Sequence, residues 1–213
     1  MDSSVLVSVV DTLVDDLRER IFSGALRPGE AVTEASLVAR HGVSRPTAKA
    51  AIEQVVAQGL LVQSLHRSAR VPELSSAEVL DIYQARLAIE VSAVRSLALR
   101  HRVPHPLRMA QQDIVELSSR GGAALIEPDM RFHSLLVQAY GSPKLARIYS
   151  GLAGDMRLCM AQVHGRPLLS PEIIITEHER LMNAISAGDP DRAERILTGH
   201  LHGAADRLAG SID

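Results

Sequence analysis

Beyond Pro72 the apolar residues recur at helical spacing and nowhere settle into the every-second-residue alternation of a strand. That one pattern confines most of the chain to packed helices. Ser75 and Glu78 have the spacing of a capping box and predict a long helix running to about Arg100. Its apolar residues (Val79, Leu80, Ile82, Leu87, Ile89, Val91, Leu97) fall on more than one face, as expected of a helix central in a bundle. Further helices are predicted over 105–119, 124–140, 143–164, 171–187 and 190–209, the last with Asp189 as cap and Pro190 at its first position. With 46% apolar residues there is enough material for a real core, and the expected architecture is an antiparallel all-helical bundle.

The first third reads differently. Val10, Leu13, Val14, Leu17 and Ile21 form one helical stripe behind Ser8, and Gly24 with Pro28-Gly29 ends it in a turn. A short helix from Thr33 to Arg40 follows, then the tight turn His41-Gly42-Val43. Ser44 then caps a third helix to about Gln58, with Pro46 tolerated in its first turn. Residues Leu60 to Pro72 read as two short strands around a tip at Ser64 to Ser68. Helix, short helix, tight turn, helix and basic hairpin make a winged helix-turn-helix. In that arrangement the third helix can enter the major groove and present its first residues to base edges. The expected fold class is therefore mostly α: a winged helix-turn-helix over residues 1–72 and an all-helical domain over 73–213.

Charge agrees with that division of labour. Residues 40–72 carry Arg40, Arg45, Lys49, Arg67 and Arg70 against Glu53, a local +4, so the rest holds -6 of a chain whose net charge is -2. A basic segment on a mildly acidic chain suits a dedicated nucleic-acid reader. Aromatics at 2% and no tryptophan argue against a stacking platform for single strands. One cysteine, Cys159, excludes a disulfide framework and a multi-cysteine zinc module. No apolar run is long enough to span a membrane, and the first residues lack a secretion signal, so a cytoplasmic protein is expected.

Three histidines interrupt otherwise apolar helix faces: His133 with Phe132 and Leu136, His178 with Ile174 and Leu181, His200 with Ile196 and Ala204. Asp129 lies one turn before His133 on the same face. His202, by contrast, shares its face with Arg195, Thr198 and Asp206. Three inward imidazoles and one carboxylate suit a divalent ion in a bundle core, with zinc, nickel, iron and manganese all compatible. The same spacing also suits unrelated, hydrogen-bonded core histidines.

The runs I-F-S-G-A-L-R-P-G-E at 21–30, T-E-A-S-L-V-A-R-H-G-V-S-R at 33–45 and G-L-L-V at 59–62 resemble the GntR superfamily of transcription regulators. The resemblance implies operator DNA as partner, with Ser44, Arg45, Thr47 and Lys49 on the reading helix and His66 and Arg67 on the wing. Three departures stand out: the order Pro46-Thr47 is reversed, Lys49 replaces a more usual arginine, and the wing carries His66 or Arg67 where glycine is usual. Lysine cannot make the bidentate fork to guanine, so the family's operator need not carry over unchanged.

The runs D-x-R-F-H at 129–133, E-H-x-x-L-x-x-A-I at 177–185, G-D-x-x-x-A at 188–193 and H-L at 200–201 resemble the FCD effector domain of the FadR-like GntR branch. That resemblance implies Asp129, His133, His178 and His200 as metal ligands, Arg86 of the R-L-x-x-E pattern with Glu90 as an effector-pocket arginine, and a homodimer. A small carboxylate would satisfy metal and Arg86 together. The expected function is thus a ligand-responsive transcription regulator, a repressor in the first instance. The alternative is a metal-dependent hydrolase on the same four residues. It would need a general base beside the metal, and Glu177 is expected to point off the apolar stripe.

Overall fold

The computed structural model describes residues 8–64, 67–161 and 170–212. It divides into two compact units, Met1–Glu73 and Leu74–Asp213.

In the first unit, α1 (Val9–Phe22) begins where the Ser8 hydroxyl accepts the Asp11 amide, and it buries Leu13, Val14, Leu17 and Ile21. A two-residue strand, β1 (Ala31–Val32), leads into α2 (Glu34–His41), whose start is closed by a reciprocal cap between Thr33 and Ser36. Gly42 ends α2 at φ 67°, the left-handed region that only glycine enters freely. Ser44 then caps α3 (Arg45–Ala57), which packs Ala48, Ala51, Ile52 and Val55 inward against α1 and α2.

The wing differs from the expected pair of strands. Its return arm, β2 (Ala69–Arg70), pairs antiparallel with β1, in the register Ala31 to Arg70 and Val32 to Ala69. The outgoing arm contributes one bridge, Val62 with Arg70. The hairpin is thereby stitched to the segment ahead of α2. Two residues are too few to show alternation, which is why the sequence did not reveal β1.

In the second unit, α4 (Ser76–Leu99) starts with a capping box between Ser75 and Glu78. It buries Val79, Tyr83, Arg86, Glu90, Ala93 and Leu97, a stripe spaced alternately by four and three residues, with Val94 and Ala98 beside it. After α5 (His105–Leu117), two 3-10 turns, Ser118–Arg120 and Gly122–Leu125, lead into α6 (Ile126–Ala139). The single helix expected over 143–164 is instead α7 (Pro143–Gly151) and α8 (Ala153–Ala161), broken at Leu152. Gly151 and Gly154 flank the break, and glycine is the least helical ordinary residue after proline. Residues 162–164 of that expected helix lie outside the described residues. Last come α9 (Pro171–Ala187) and α10 (Pro190–Ala209), joined by Gly188 and the cap Asp189.

α4 and α10 run antiparallel along the core. Ser76 at the start of α4 donates to the Ala209 carbonyl (3.1 Å), and Arg95 near its end pairs with Asp191 (2.8 Å) and Glu194 at the start of α10. Leu97, Phe132, Leu136, Leu181, Ile185, Leu197 and Leu201 fill the space among α4, α6, α9 and α10. Among the described residues, no helix is long and apolar enough to cross a membrane.

The α9–α10 corner carries a local constraint. Gly188 has φ 75°, and a Cβ there would collide with the His101 ring. Gly188→Ala is therefore expected to destabilise the protein by at least about 1–2 kcal/mol, the left-handed cost alone. An earlier urea midpoint by far-UV circular dichroism checks this, and an unchanged midpoint contradicts it.

Candidate metal centre and nucleic-acid interface

Three helices bring four donors to one point in the second unit. Asp129 and His133 sit one turn apart on α6, His178 on α9 and His200 on α10, and all four residues are buried. Their ligand atoms lie within 4.8 Å of one another. His133 Nε2 is 3.3 Å from His200 Nε2 and 3.9 Å from Asp129 Oδ1, which is 3.4 Å from His178 Nε2. The His178 ring stacks on Phe132 at 3.8 Å between centroids, which fixes its plane.

Each histidine is held from behind at Nδ1. For His133 the partner is Glu90 Oε2 (2.5 Å), for His178 Gln111 Oε1 (3.2 Å) and for His200 Glu177 Oε2 (2.8 Å). These partners decide where the ring protons sit. An ionised carboxylate only accepts, so His133 and His200 carry their hydrogen on Nδ1. Gln111 donates its amide nitrogen to the Ile175 carbonyl (3.2 Å), so its oxygen must face His178, whose hydrogen is also on Nδ1. In the neutral rings all three Nε2 lone pairs, together with a carboxylate oxygen, then converge with no donor among them.

Such an arrangement is repulsive without a cation. A proton shared by His133 and His200 could relieve one contact. It would still leave Asp129 Oδ1 and His178 Nε2, both buried and without a hydrogen-bond partner among the described residues. Unmet buried polar atoms cost about 1–3 kcal/mol each. One divalent ion meets all four, and three imidazoles with one carboxylate fit zinc, nickel, iron or manganese. The donor set therefore fits a resident metal ion, which when bound would hold open positions for an added oxygen ligand.

Burial holds the His178 pKa well below the ordinary imidazole value, so that ring is neutral at neutral pH, and the Gln111 oxygen keeps its one hydrogen on Nδ1. Burial would raise Glu90, but its contacts with His133, Arg86 and Tyr149 outweigh it and hold its carboxyl at about 2. Glu177 is lowered mainly by its hydrogen bond with His200.

Arg86 is 1% exposed on α4, one helical turn before Glu90. Its Nε donates to Glu90 Oε1 (3.0 Å) and its guanidinium lies 4.9 Å from the Tyr83 ring centre. Its Nη2 and the Tyr83 hydroxyl are buried without partners among the described residues. Glu90 thus links Arg86 to His133, and it accepts the Tyr149 hydroxyl of α7 as well (2.7 Å).

Gln111, Tyr149 and Tyr83 escaped sequence reasoning, and Glu90 was named only as the companion of Arg86. Gln111 and Glu90 each interrupt a buried stripe, the signal that exposed the histidines. Tyr149 and Tyr83 carried none. Glu177 was expected to point off the apolar stripe. It does leave the face of His178, yet reaches the His200 ring on the neighbouring helix. With its carboxylate engaged at Nδ1, on the far side of the ring from Nε2, it does not supply the general base that a hydrolase would need.

In the first unit, Ser44 accepts the Thr47 amide (3.3 Å) and shares a hydrogen bond with its hydroxyl (2.7 Å). Both are thereby committed to starting α3. Arg45 and Lys49 are exposed on α3, with Lys49 Nζ 3.7 Å from Glu53. Arg67 is exposed on the wing, whereas His66 lies outside the described residues. Arg45, Lys49, Gln63 and Arg67 line one open concavity with Thr33 and Glu34. Gln63 and the start of α2 were not anticipated there.

Comparison with known proteins places both units in described families. The family model for bacterial regulatory proteins of the gntR family matches residues 10–71, and that for the FCD domain matches residues 81–203. The chain is similar to the "Probable D-xylose utilization operon transcriptional repressor" of Paenarthrobacter nicotinovorans, at 26% identity over 91% of this chain and 86% of the relative. It is also similar to the HTH-type transcriptional regulator LutR of Bacillus subtilis, at 26% identity over 91% of this chain and 98% of the relative. A GntR regulator structure from Rhodococcus sp. RHA1 shares the fold with a TM-score of 0.77 at 20% identity, covering 94% of this chain and 97% of that one. A winged helix at one end and an FCD bundle at the other leave one assignment: the chain belongs to the FCD-domain branch of the bacterial gntR family, and is a DNA-binding regulator of transcription rather than an enzyme.

Proposed function

We propose that this regulator is a cytoplasmic homodimer that represses transcription from a two-fold operator and responds to a small carboxylate bound beside a divalent metal ion. The observation that carries the proposal is the convergence of three imidazole nitrogens and Asp129 Oδ1 in a buried cluster, with Asp129 Oδ1 and His178 Nε2 lacking hydrogen-bond partners among the described residues. Asp129, His133, His178 and His200 would hold the metal. Arg86 is anchored through Nε on Glu90, and its Nη2, without a partner among the described residues, would take an anion. A carboxylate can place one oxygen on the metal and the other on the guanidinium, and metabolic acids or sugar acids have that chemistry. Regulation then requires that the acid bind the DNA-competent and DNA-incompetent states with different affinity.

Arg45, Lys49 and Arg67, with Ser44, Thr47 and His66, would meet the operator. One winged helix reads too few base pairs for useful specificity, which is the reason for a dimer on a two-fold site.

The test is a titration of carboxylates against the complex of metal-loaded protein with an operator fragment recovered from its genome. One acid is expected to release the parent protein from DNA, with two chains leaving per operator, and to leave the Arg86→Ala complex in place. An acid that shifts DNA affinity equally in both proteins removes Arg86 from the effector site.

A further inference from the structure

We infer that Glu90, Gln111 and Glu177 are positioning residues for the metal, one to each histidine, with Glu90 the most consequential of them. This rests on the metal reading above. None of the three offers an atom to the centre; each meets its histidine at the outer nitrogen of a ring whose inner nitrogen points there. An imidazole pinned as the Nδ1–H tautomer has its single lone pair on Nε2, aimed at the ion. Released from its partner, the ring is free to turn or to carry its hydrogen on Nε2, and either change removes a ligand.

The three pins differ in how firmly they are themselves held. Glu177 is 30% exposed by side chain and bonds the one ring. Gln111 is fixed between His178 and the Ile175 carbonyl, so its neutral amide cannot reverse without losing both bonds. Glu90 is fully buried and takes three donors from three helices: Arg86 Nε of α4, Tyr149 of α7 and His133 of α6. Arg86 and Tyr149 both address Oε1, which leaves Oε2 for His133.

That division makes Glu90→Gln a sharp probe. The amide has the shape of the carboxylate but one acceptor oxygen. The two donors at Oε1 require that oxygen, which turns the NH2 towards His133 Nδ1. A group that only donates there forces the ring hydrogen onto Nε2, into the metal's place.

The experiment uses full-length protein stripped with chelator and titrated with cobalt(II) against a competing chelator. Glu90→Gln is expected to bind cobalt about 10–100-fold more weakly than the parent, with an altered cobalt absorption spectrum. Nitrogen-15 NMR of the metal-free variant is expected to show His133 protonated at Nε2. Tyr149→Phe removes a hydrogen bond from the same carboxylate but keeps its charge and its contact with His133, so it is expected to bind cobalt as the parent does. Should Glu90→Gln fail to fold, Glu177→Ala, at a half-buried position, carries the test and is also expected to bind cobalt more weakly. A parent that binds cobalt alongside folded variants that match its affinity and spectrum overturns the positioning role alone. A parent that takes up no cobalt overturns the metal reading, and this inference with it.

Discussion

Zinc added to chelator-stripped protein is expected to raise its melting temperature by about 5–10 °C, and the rise is expected to vanish in His178→Ala. A ligand at a hundredfold excess over its dissociation constant stabilises the folded state by about 2.7 kcal/mol. For a chain of this length each kcal/mol moves the melting temperature by about 2–4 °C. His178 is the informative ligand to delete. Its burial keeps it neutral at neutral pH, so a metal ion need not displace a second proton from the ring. The partner it leaves, Gln111, is an uncharged amide. Alanine also opens space beneath the Phe132 ring, which lowers the melting temperature of the metal-free protein. The measurement that decides is therefore the increment on adding zinc, by differential scanning calorimetry. A parent protein with no such increment, and with no metal by elemental analysis before chelation, would make the three histidines purely structural.

Arg45→Ala is expected to weaken operator binding about 5–150-fold, the range for losing one base-reading side chain. Arg45 is the first residue of α3 and is exposed, and the capping of α3 by Ser44 does not depend on its side chain. The helix should therefore survive the change, and lost affinity would report lost contact. Lys49→Ala separates two kinds of contact. If Lys49 meets only phosphate, its removal weakens all sequences alike and flattens the salt dependence of binding by about one counterion. Lys49 must give up its pairing with Glu53 to do so, which makes its contribution the smaller of the two. Fluorescence anisotropy with operator and scrambled duplexes at several salt concentrations measures all of this. Unchanged affinity in Arg45→Ala would remove it from the interface.

Local order was legible in the sequence because its causes are local. The Ser8, Thr33, Ser44, Ser75 and Asp189 caps each act within a few residues of themselves, and helical periodicity reports which face of one helix is buried. This is why the winged helix and the bundle could be read from residue order alone. The inward faces of His133, His178 and His200 were legible for the same reason: each interrupts an apolar stripe on its own helix. The break at Leu152 was less visible, since Gly151 and Gly154 lower helix propensity without forbidding a helix, and packing decides such cases. The pairing of Ala31–Val32 with Ala69–Arg70 joins residues far apart in the chain, and no periodic signal precedes it.

Only the tertiary structure decided which side chains meet. Periodicity places a residue on a face but does not say what faces it from another helix. Glu90 reaching His133, Gln111 reaching His178 and Glu177 reaching His200 all cross between helices. Those crossings hold each ring at Nδ1 and turn the three Nε2 atoms towards one point. Residue order determined that the histidines are buried. The relative placement of α4, α5, α6, α9 and α10, set by packing of the shared core, determined that they meet in one cluster with Asp129.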